Sequence, residues 1–274
     1  MAVTVLVDGL LRFDSGKTWF GVGLCLCLRR LGYRVGVFKP VAGHSVWGQL
    51  WSFRESLRRG FLVGGDVLTY ERFLGVDPLA VNPVDLLLAP PDPAGGVSGF
   101  LSSVGGWEDQ VVVARVPVGG GFEHWWFPVN VSRLSPLVRF EVSRLVGRVG
   151  AVPGSVEGLL DYVGGLGGVF EEFRRRVSAG CDFLVVESFN DALVPYRELV
   201  GVVDYLVVVA PGRVFVFEGE RLRLLASVVD VGGARVGGVW RHLGRPIGVF
   251  ELPLVEDPVV LADFLGGVVG VLGG

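Results

Sequence analysis

The sequence predicts an α/β fold, a mostly parallel sheet with helices on both faces, and three stretches carry that prediction. Ala2 to Leu31 reads as an apolar strand, a glycine-punctuated turn and a helix. Tyr33 to Phe38 supplies a second strand, so the opening is a βαβ crossover, the connection that parallel strands require. Asp182 to Glu187, DFLVVE, is short and almost wholly apolar, the pattern of a central strand buried on both faces.

Taken in order, the first strand runs into DGLLRFDSGKT, which reads as a phosphate-binding loop. Gly9, Asp14, Ser15, Gly16, Lys17 and Thr18 are its candidate nucleotide-binding residues. Successive backbone N–H groups and the N-terminus of the following helix attract anionic oxygens, Lys17 adds a full positive charge, and the Thr18 hydroxyl suits Mg²⁺. The usual loop has a glycine five residues before the GK glycine; here that place is Leu11, so the loop is longer than standard. Of the 25 lysine and arginine residues only Lys17 and Lys39 are lysines. A lysine kept where arginine serves elsewhere marks a place that needs a compact ammonium.

After the second strand, Lys39-Pro40 leads into the loop VAGHS, and helices follow around Val46 to Arg59 and from Asp66. Val76 to Pro93 contains five prolines and reads as an extended surface connector. Gln110 to Val131 gives two β-rich runs flanking Gly119-Gly120-Gly121, a hairpin pattern, with Trp125 and Trp126 as packing residues. Helical spacing covers Pro136 to Val146 and Val156 to Ala179, where Gly180 provides the stop. Further strands are expected at Tyr205 to Val209, Val214 to Phe217, Val236 to Trp240 and Ile247 to Phe250, before a closing helix from Val259 to Val271. The whole of 1–274 reads as a single domain, with 92–155 as an insertion or lid carrying the hairpin.

Composition excludes several classes. Half the residues are hydrophobic and 19% are charged, as in a compact soluble chain. No run of about 18 uninterrupted apolar residues appears and the start lacks a signal-type pattern, so a cytoplasmic protein without a membrane span is expected. A formal net charge of −3 argues against nucleic acid as a partner. Cys25, Cys27 and Cys181 show no CxxC spacing, and the first two fall on the apolar helix, as reduced core residues would. His44, His124 and His242 lack zinc-ligand spacing. His44 either orients a ligand or is a turn residue.

Asp14, Lys17-Thr18, Lys39, Asp66 and Glu187 fall where strands end or turns open, and their chemistry suits a Mg-nucleotide. Phosphoryl transfer needs charge neutralisation and positioning more than covalent help, and lysines, Mg²⁺ and metal-holding carboxylates supply both. For Asp66 a helix N-cap and a metal ligand are equal readings. Glu187 falls at a strand's C-terminal end, where open α/β sheets place ligands.

These residues resemble the dethiobiotin synthetases and their P-loop relatives. The resemblance rests on the loop ending in DSGKT, on GYRVGVFKPVAGHS, on GDVLTYERFLGVDPLAVNP and on DFLVVE, in that order, and covers most of the chain outside 92–155. It implies a P-loop fold of dethiobiotin-synthetase type and use of ATP or GTP with Mg²⁺. It also implies activation of a carboxylate or carbamate on a small-molecule substrate by phosphoryl transfer. In residues, it implies phosphate binding by Lys17, Mg²⁺ held by Thr18, Asp66 and Glu187, and catalytic roles for Lys17, Lys39 and the acidic loop residue Asp14. Substrate contacts are implied for Lys39 and Ser45, and the family's dimers imply a homodimer. The sequence departs from the family at Gly43, where a serine is usual, and after Glu187, where Ser188-Phe189-Asn190-Asp191 replaces a glycine-rich loop; Ser188 and Asn190 are the candidate contacts there. A regulatory nucleotide switch read by a protein partner and a small-molecule kinase are the other readings. Lys39 favours an enzyme, because a charged group at a second-strand turn serves a charged substrate and has no evident purpose in a switch.

Overall fold

The computed structural model describes residues 2–273, which form two compact units. One takes in the chain up to Pro40, Thr69–Val81 and the residues from Gly167 on; the other takes in Val41–Leu68 and Asn82–Leu166. The strands are β1 (Val3–Gly9), β2 (Val35–Phe38), β3 (Val41–Ser45), β4 (Val84–Leu88), β5 (Val111–Val118), β6 (Gly121–Trp126) and β7 (Val152–Pro153), followed by β8 (Phe183–Glu187), β9 (Tyr205–Ala210), β10 (Arg213–Glu218) and β11 (Gly248–Glu251). The first three helices longer than one turn are α1 (Lys17–Arg30), α2 (Leu50–Arg59) and α3 (Gly65–Leu74). Among the described residues no helix is long and apolar enough to cross a membrane.

The first unit is built on a six-stranded sheet of order β11-β10-β9-β1-β8-β2. Its four strands β9, β1, β8 and β2 are parallel, whereas β10 and β11 join antiparallel to their neighbours. Val5 and Val7 of β1 pack with Phe20, Leu24 and Leu28 of α1 and with Leu261, Leu265 and Val269 near the C-terminus, which fixes one face. The opposite face receives the helix Gly167–Ser178: Gly36 pairs with Leu184, and a Cβ at Gly36 would lie 2.7 Å from the Val177 carbonyl oxygen. Helix α1 is buried around most of its circumference, and it ends with Arg29 and Arg30 in the last turn, where cations favour the helix dipole. Burial raises the Cys25 thiol to about 12, so this cysteine is an inert core residue, as its place in the apolar helix implies.

The second unit is a five-stranded sheet of order β3-β4-β5-β6-β7. Its core gathers Val46, Phe53, Leu87, Val113, Leu134, Val142 and Leu145. The expected hairpin is present as β5 and β6, paired antiparallel from Val113–Trp126 to Val118–Gly121. It is part of this sheet, since β5 also pairs with β4.

Both sheets are mixed, so the expectation of a mostly parallel sheet holds only for the four strands around β1. Several local readings change as well, among them the closing helix, which is broken into Pro258–Leu261 and Gly266–Leu272. The VAGHS segment is strand β3 rather than a loop, and the proline-rich connector contains a helical turn, Pro78–Val81, and strand β4. The helix expected over Val156 to Ala179 is two, Val156–Gly164 and Gly167–Ser178, divided at Gly165. Val236 to Trp240 is a short helical segment, not a strand. In this last case GG follows Val236, and among the described residues the segment is flanked by an isolated bridge from Arg235 to Ala192 and joins no ladder.

Candidate functional site

Strand β1 carries the chain through the centre of the first sheet and delivers the loop Leu10–Gly16 at its C-terminal edge, with β8 and β9 on either side. The loop closes tightly. A Cβ at Gly9 would lie 2.2 Å from Ser15 Oγ and 3.0 Å from Lys17 Nζ, so glycine leaves room for the Ser15 and Lys17 side chains to pack over the strand end. Asp14 adopts φ 53° and Gly16 φ 85°, left-handed conformations that turn the backbone into α1. Gly16 precedes α1, its carbonyl accepts the Phe20 N–H, and Lys17 is the first helical residue. Asp14 and Gly16 are exposed, while Ser15 and Lys17 are buried, with Lys17 Nζ 3.5 Å from Ser15 Oγ.

Glu187, the last residue of β8, is 1% exposed and gathers three other side chains. Lys39 Nζ donates to its Oε1 at 2.6 Å, Thr18 Oγ1 donates to the same oxygen at 3.0 Å, and Tyr70 Oη donates to Oε2 at 2.6 Å. Lys39 is itself 2% exposed and also donates to the Ser188 carbonyl at 3.0 Å. The sequence assigned Glu187 to metal and Lys39 to substrate; the structure joins them in one buried ion pair. A mid-helix glycine makes room for the fourth member, because a Cβ at Gly21 of α1 would lie 2.2 Å from Tyr70 Oη.

Two groups here were not singled out in the sequence. Asp8, the penultimate residue of β1, is fully buried, and neither of its carboxylate oxygens has a hydrogen-bond partner. Burial pushes its carboxyl well above the usual carboxylate range, against the opposing pull of the Lys17 ammonium and the nearby Ser188 hydroxyl. That hydroxyl is committed elsewhere, donating to the Ala192 carbonyl at 2.5 Å. The available signal was a lone acidic residue closing the otherwise apolar run VTVLV. Arg12 is the second, a guanidinium within the loop whose buried Nε has no hydrogen-bond partner and whose Cζ lies 5.4 Å from the Phe13 ring centroid.

The remaining expected residues are spread over both units. Ser188 is buried and Asn190 takes φ 50°, a conformation asparagine tolerates, with Asp191 next to it paired to Arg235 at 2.7 Å. Asp66 and Ser45 belong to the second unit. Asp66 opens α3, where its charge acts on His44 and Asp85. Ser45 Oγ accepts the N–H groups of Trp47 and Gly48, each at 3.2 Å, which makes it a turn-forming residue there.

The second unit contains a buried polar cluster around His44, which the sequence placed in a loop. Ser52 Oγ donates to the Gln49 carbonyl at 2.8 Å, so in its 2.7 Å contact with His44 Nδ1 the histidine is the donor. His44 Nε2 faces Asp85 Oδ1 at 3.8 Å, and neither atom has a hydrogen-bond partner. Asp85 Oδ2 accepts the Gly64 N–H at 2.6 Å, just before α3. Arg115, opposite Asp85 in the ladder and fully buried, donates to the Leu62 carbonyl at 2.6 Å and to Asn82 Oδ1 at 2.7 Å, with the Phe122 ring 5.1 Å away.

A pH prediction follows from the same region. His124 Nε2 accepts the Leu62 N–H at 3.1 Å, which requires a neutral ring, and burial followed by the Arg115 charge lowers its pKa to about 4. Above pH 6.5 the residue is neutral folded and unfolded, and its contribution is complete. As pH falls from 6.5 to 4 the unfolded chain gains a proton that the folded one refuses, so stability is lost. His124→Gln keeps an acceptor that does not titrate. Chemical denaturation at pH 7 and pH 4.5 should show the wild type losing on the order of 2 kcal/mol relative to that variant; a pH-independent difference would refute the assignment.

Among the described residues, no three or more His, Cys, Asp or Glu side chains form a group suited to a metal ion. Thr18 and Glu187 carry hard oxygens of the type Mg²⁺ takes, and both Glu187 oxygens accept hydrogen bonds from Lys39, Thr18 and Tyr70. No protein-family model and no curated protein matches the sequence.

Proposed function

We propose that the first unit is a P-loop nucleotide-binding module and that the protein is a Mg-nucleotide-dependent enzyme. In this reading it activates a carboxylate or carbamate by phosphoryl transfer, in the manner of the dethiobiotin synthetases. The observation that carries the reading is the joining of the β1–α1 loop to Glu187. A glycine-closed loop ends in a left-handed Gly16, Lys17 opens the helix, and the next residue, Thr18, bonds the carboxylate that closes the neighbouring strand. Loop amides and the α1 N-terminus would receive phosphate oxygens, with Lys17 neutralising one charge. Thr18 and Glu187 would hold Mg²⁺, which supplies further charge neutralisation on the phosphates. Lys39, anchored on Glu187 and Ser188, would keep an ammonium beside the strand edge where an anionic acceptor enters. ATP and GTP are equal candidates.

Amide hydrogen exchange with and without Mg-ATP or Mg-GTP tests this reading. Slowed exchange is expected in residues 9–18 and 187–192; nucleotide binding that left both segments unchanged would place the site elsewhere.

A further inference from the structure

Asp8 has no structural occupation that accounts for it. A carboxyl group buried at the end of a central strand is disfavoured unless hydrogen bonds replace its lost water, and both oxygens of Asp8 lack them. The Ser188 hydroxyl, which acts on Asp8, gives its proton to Ala192. The cation acting on Asp8 is Lys17, the residue assigned to phosphate. The group is therefore an unused proton acceptor at the base of the loop.

Its side of the sheet is informative. Val7 pairs with Glu187, and Val5 and Val7 face α1, so the oxygens of Glu187 and Thr18 belong to the α1 side. Side chains alternate along a strand, which turns Asp8, like Ser188 after Glu187, toward the opposite face. Phosphoryl transfer displaces the leaving oxygen in line with the attacking one, so a proton acceptor belongs on the side from which the attacking oxygen enters. Asp8 and the oxygens of Glu187 and Thr18 lie on opposite faces at the end of β1.

We propose that Asp8 is a catalytic residue, the general base for the water that attacks the phosphoryl when the bound nucleotide is hydrolysed; the proposal rests on the nucleotide site described above. The water's oxygen forms the new bond to phosphorus, the bond from phosphorus to the nucleotide's bridging oxygen breaks, and a water proton passes to an Asp8 carboxylate oxygen. An ionised carboxylate or carbamate acceptor carries no proton and does not call on Asp8. Burial raises the proton affinity of this carboxyl, which makes it a stronger base than an ordinary carboxylate.

The experiment measures Mg-ATP and Mg-GTP affinity by calorimetry and phosphate release with water as acceptor, for the wild type, Asp8→Asn and Lys17→Ala. Asp8→Asn is expected to bind nucleotide within about threefold of the wild type while turnover falls at least about 100-fold, and the acidic limb of the wild-type pH–rate profile should vanish from the residual activity. Turnover within about threefold of the wild type, with the profile unchanged, would overturn the role of Asp8. The nucleotide site would still stand if Lys17→Ala abolished binding. If the wild type itself bound neither nucleotide, both readings would fall together. Should Asp8→Asn not fold, Asp8→Ser carries the same comparison, and a wild-type rate that did not vary between pH 5 and 9 would by itself overturn the proposal.

Discussion

Lys39→Met is expected to destabilise the protein by about 3 to 5 kcal/mol, because it removes the cation from a buried ion pair and leaves Glu187 without that partner. The two side chains are 2% and 1% exposed and 2.6 Å apart, so solvent neither screens the pair nor replaces a lost partner. The Thr18 and Tyr70 hydroxyls stay on the carboxylate but bring no net charge. Surface pairs offer the contrast: Arg30–Asp263 is comparably short at 2.6 Å, yet its side chains are 44% and 66% exposed, and such a contact contributes about 0 to 1 kcal/mol. Methionine matches the lysine stem, which separates charge from packing. Adding Glu187→Gln to Lys39→Met should recover part of the loss, since removing both charges of a buried pair costs less than removing one. Urea denaturation of the two single variants and the double variant measures this. A Lys39→Met loss below about 1 kcal/mol would show that Glu187 finds its compensation elsewhere.

Lys17→Ala is expected to weaken Mg-nucleotide binding by at least about 100-fold, some 2.7 kcal/mol, while the variant keeps the wild-type fold. Lys17 is the first residue of α1 and is buried against the loop it closes, so its loss removes a full charge from the place where phosphate oxygens would gather. Thr18→Val should weaken binding in Mg²⁺ more than in EDTA, because it removes the hydroxyl that reaches Glu187 and leaves Lys17 in place.

The sequence carried these assignments unevenly, for physical reasons that particular residues show. The β1–loop–α1 unit was legible because its signals are contiguous: an apolar strand, Gly9, then Gly16-Lys17 before a helix, all within one turn of chain. Strand β8 was legible because burial on both faces leaves a purely apolar run ending in one charge. Strand β4 was obscured by Pro83, which immediately precedes it, and by Pro90 and Pro91 just beyond it; the prolines border the strand rather than interrupt it. Strand β3 hid in VAGHS, where Gly43 and His44 suggested a turn but ladder pairing with β4 made a strand. Around Val236 the β-branched residues suggested a strand, and tertiary context gave a helical turn instead.

The site divides in the same way. Lys17, Thr18, Lys39 and Glu187 carry types and positions that single-residue reasoning can find, yet that Lys39 pairs with Glu187, and that Tyr70 completes it across 117 positions, depends on tertiary packing. Asp8 was visible as a residue but not as a vacant hydrogen-bonding group, since its isolation arises only when Ser188 turns its proton toward Ala192.

The central claim is that the loop from Gly9 to Thr18 is a Mg-nucleotide site. Isothermal titration of the unaltered protein with Mg-ATP and with Mg-GTP, repeated on Lys17→Ala, tests it most directly. A single site for at least one of the two nucleotides, lost in Lys17→Ala, is the predicted result. No heat of binding from either nucleotide, or equal affinity in wild type and variant, would contradict the claim.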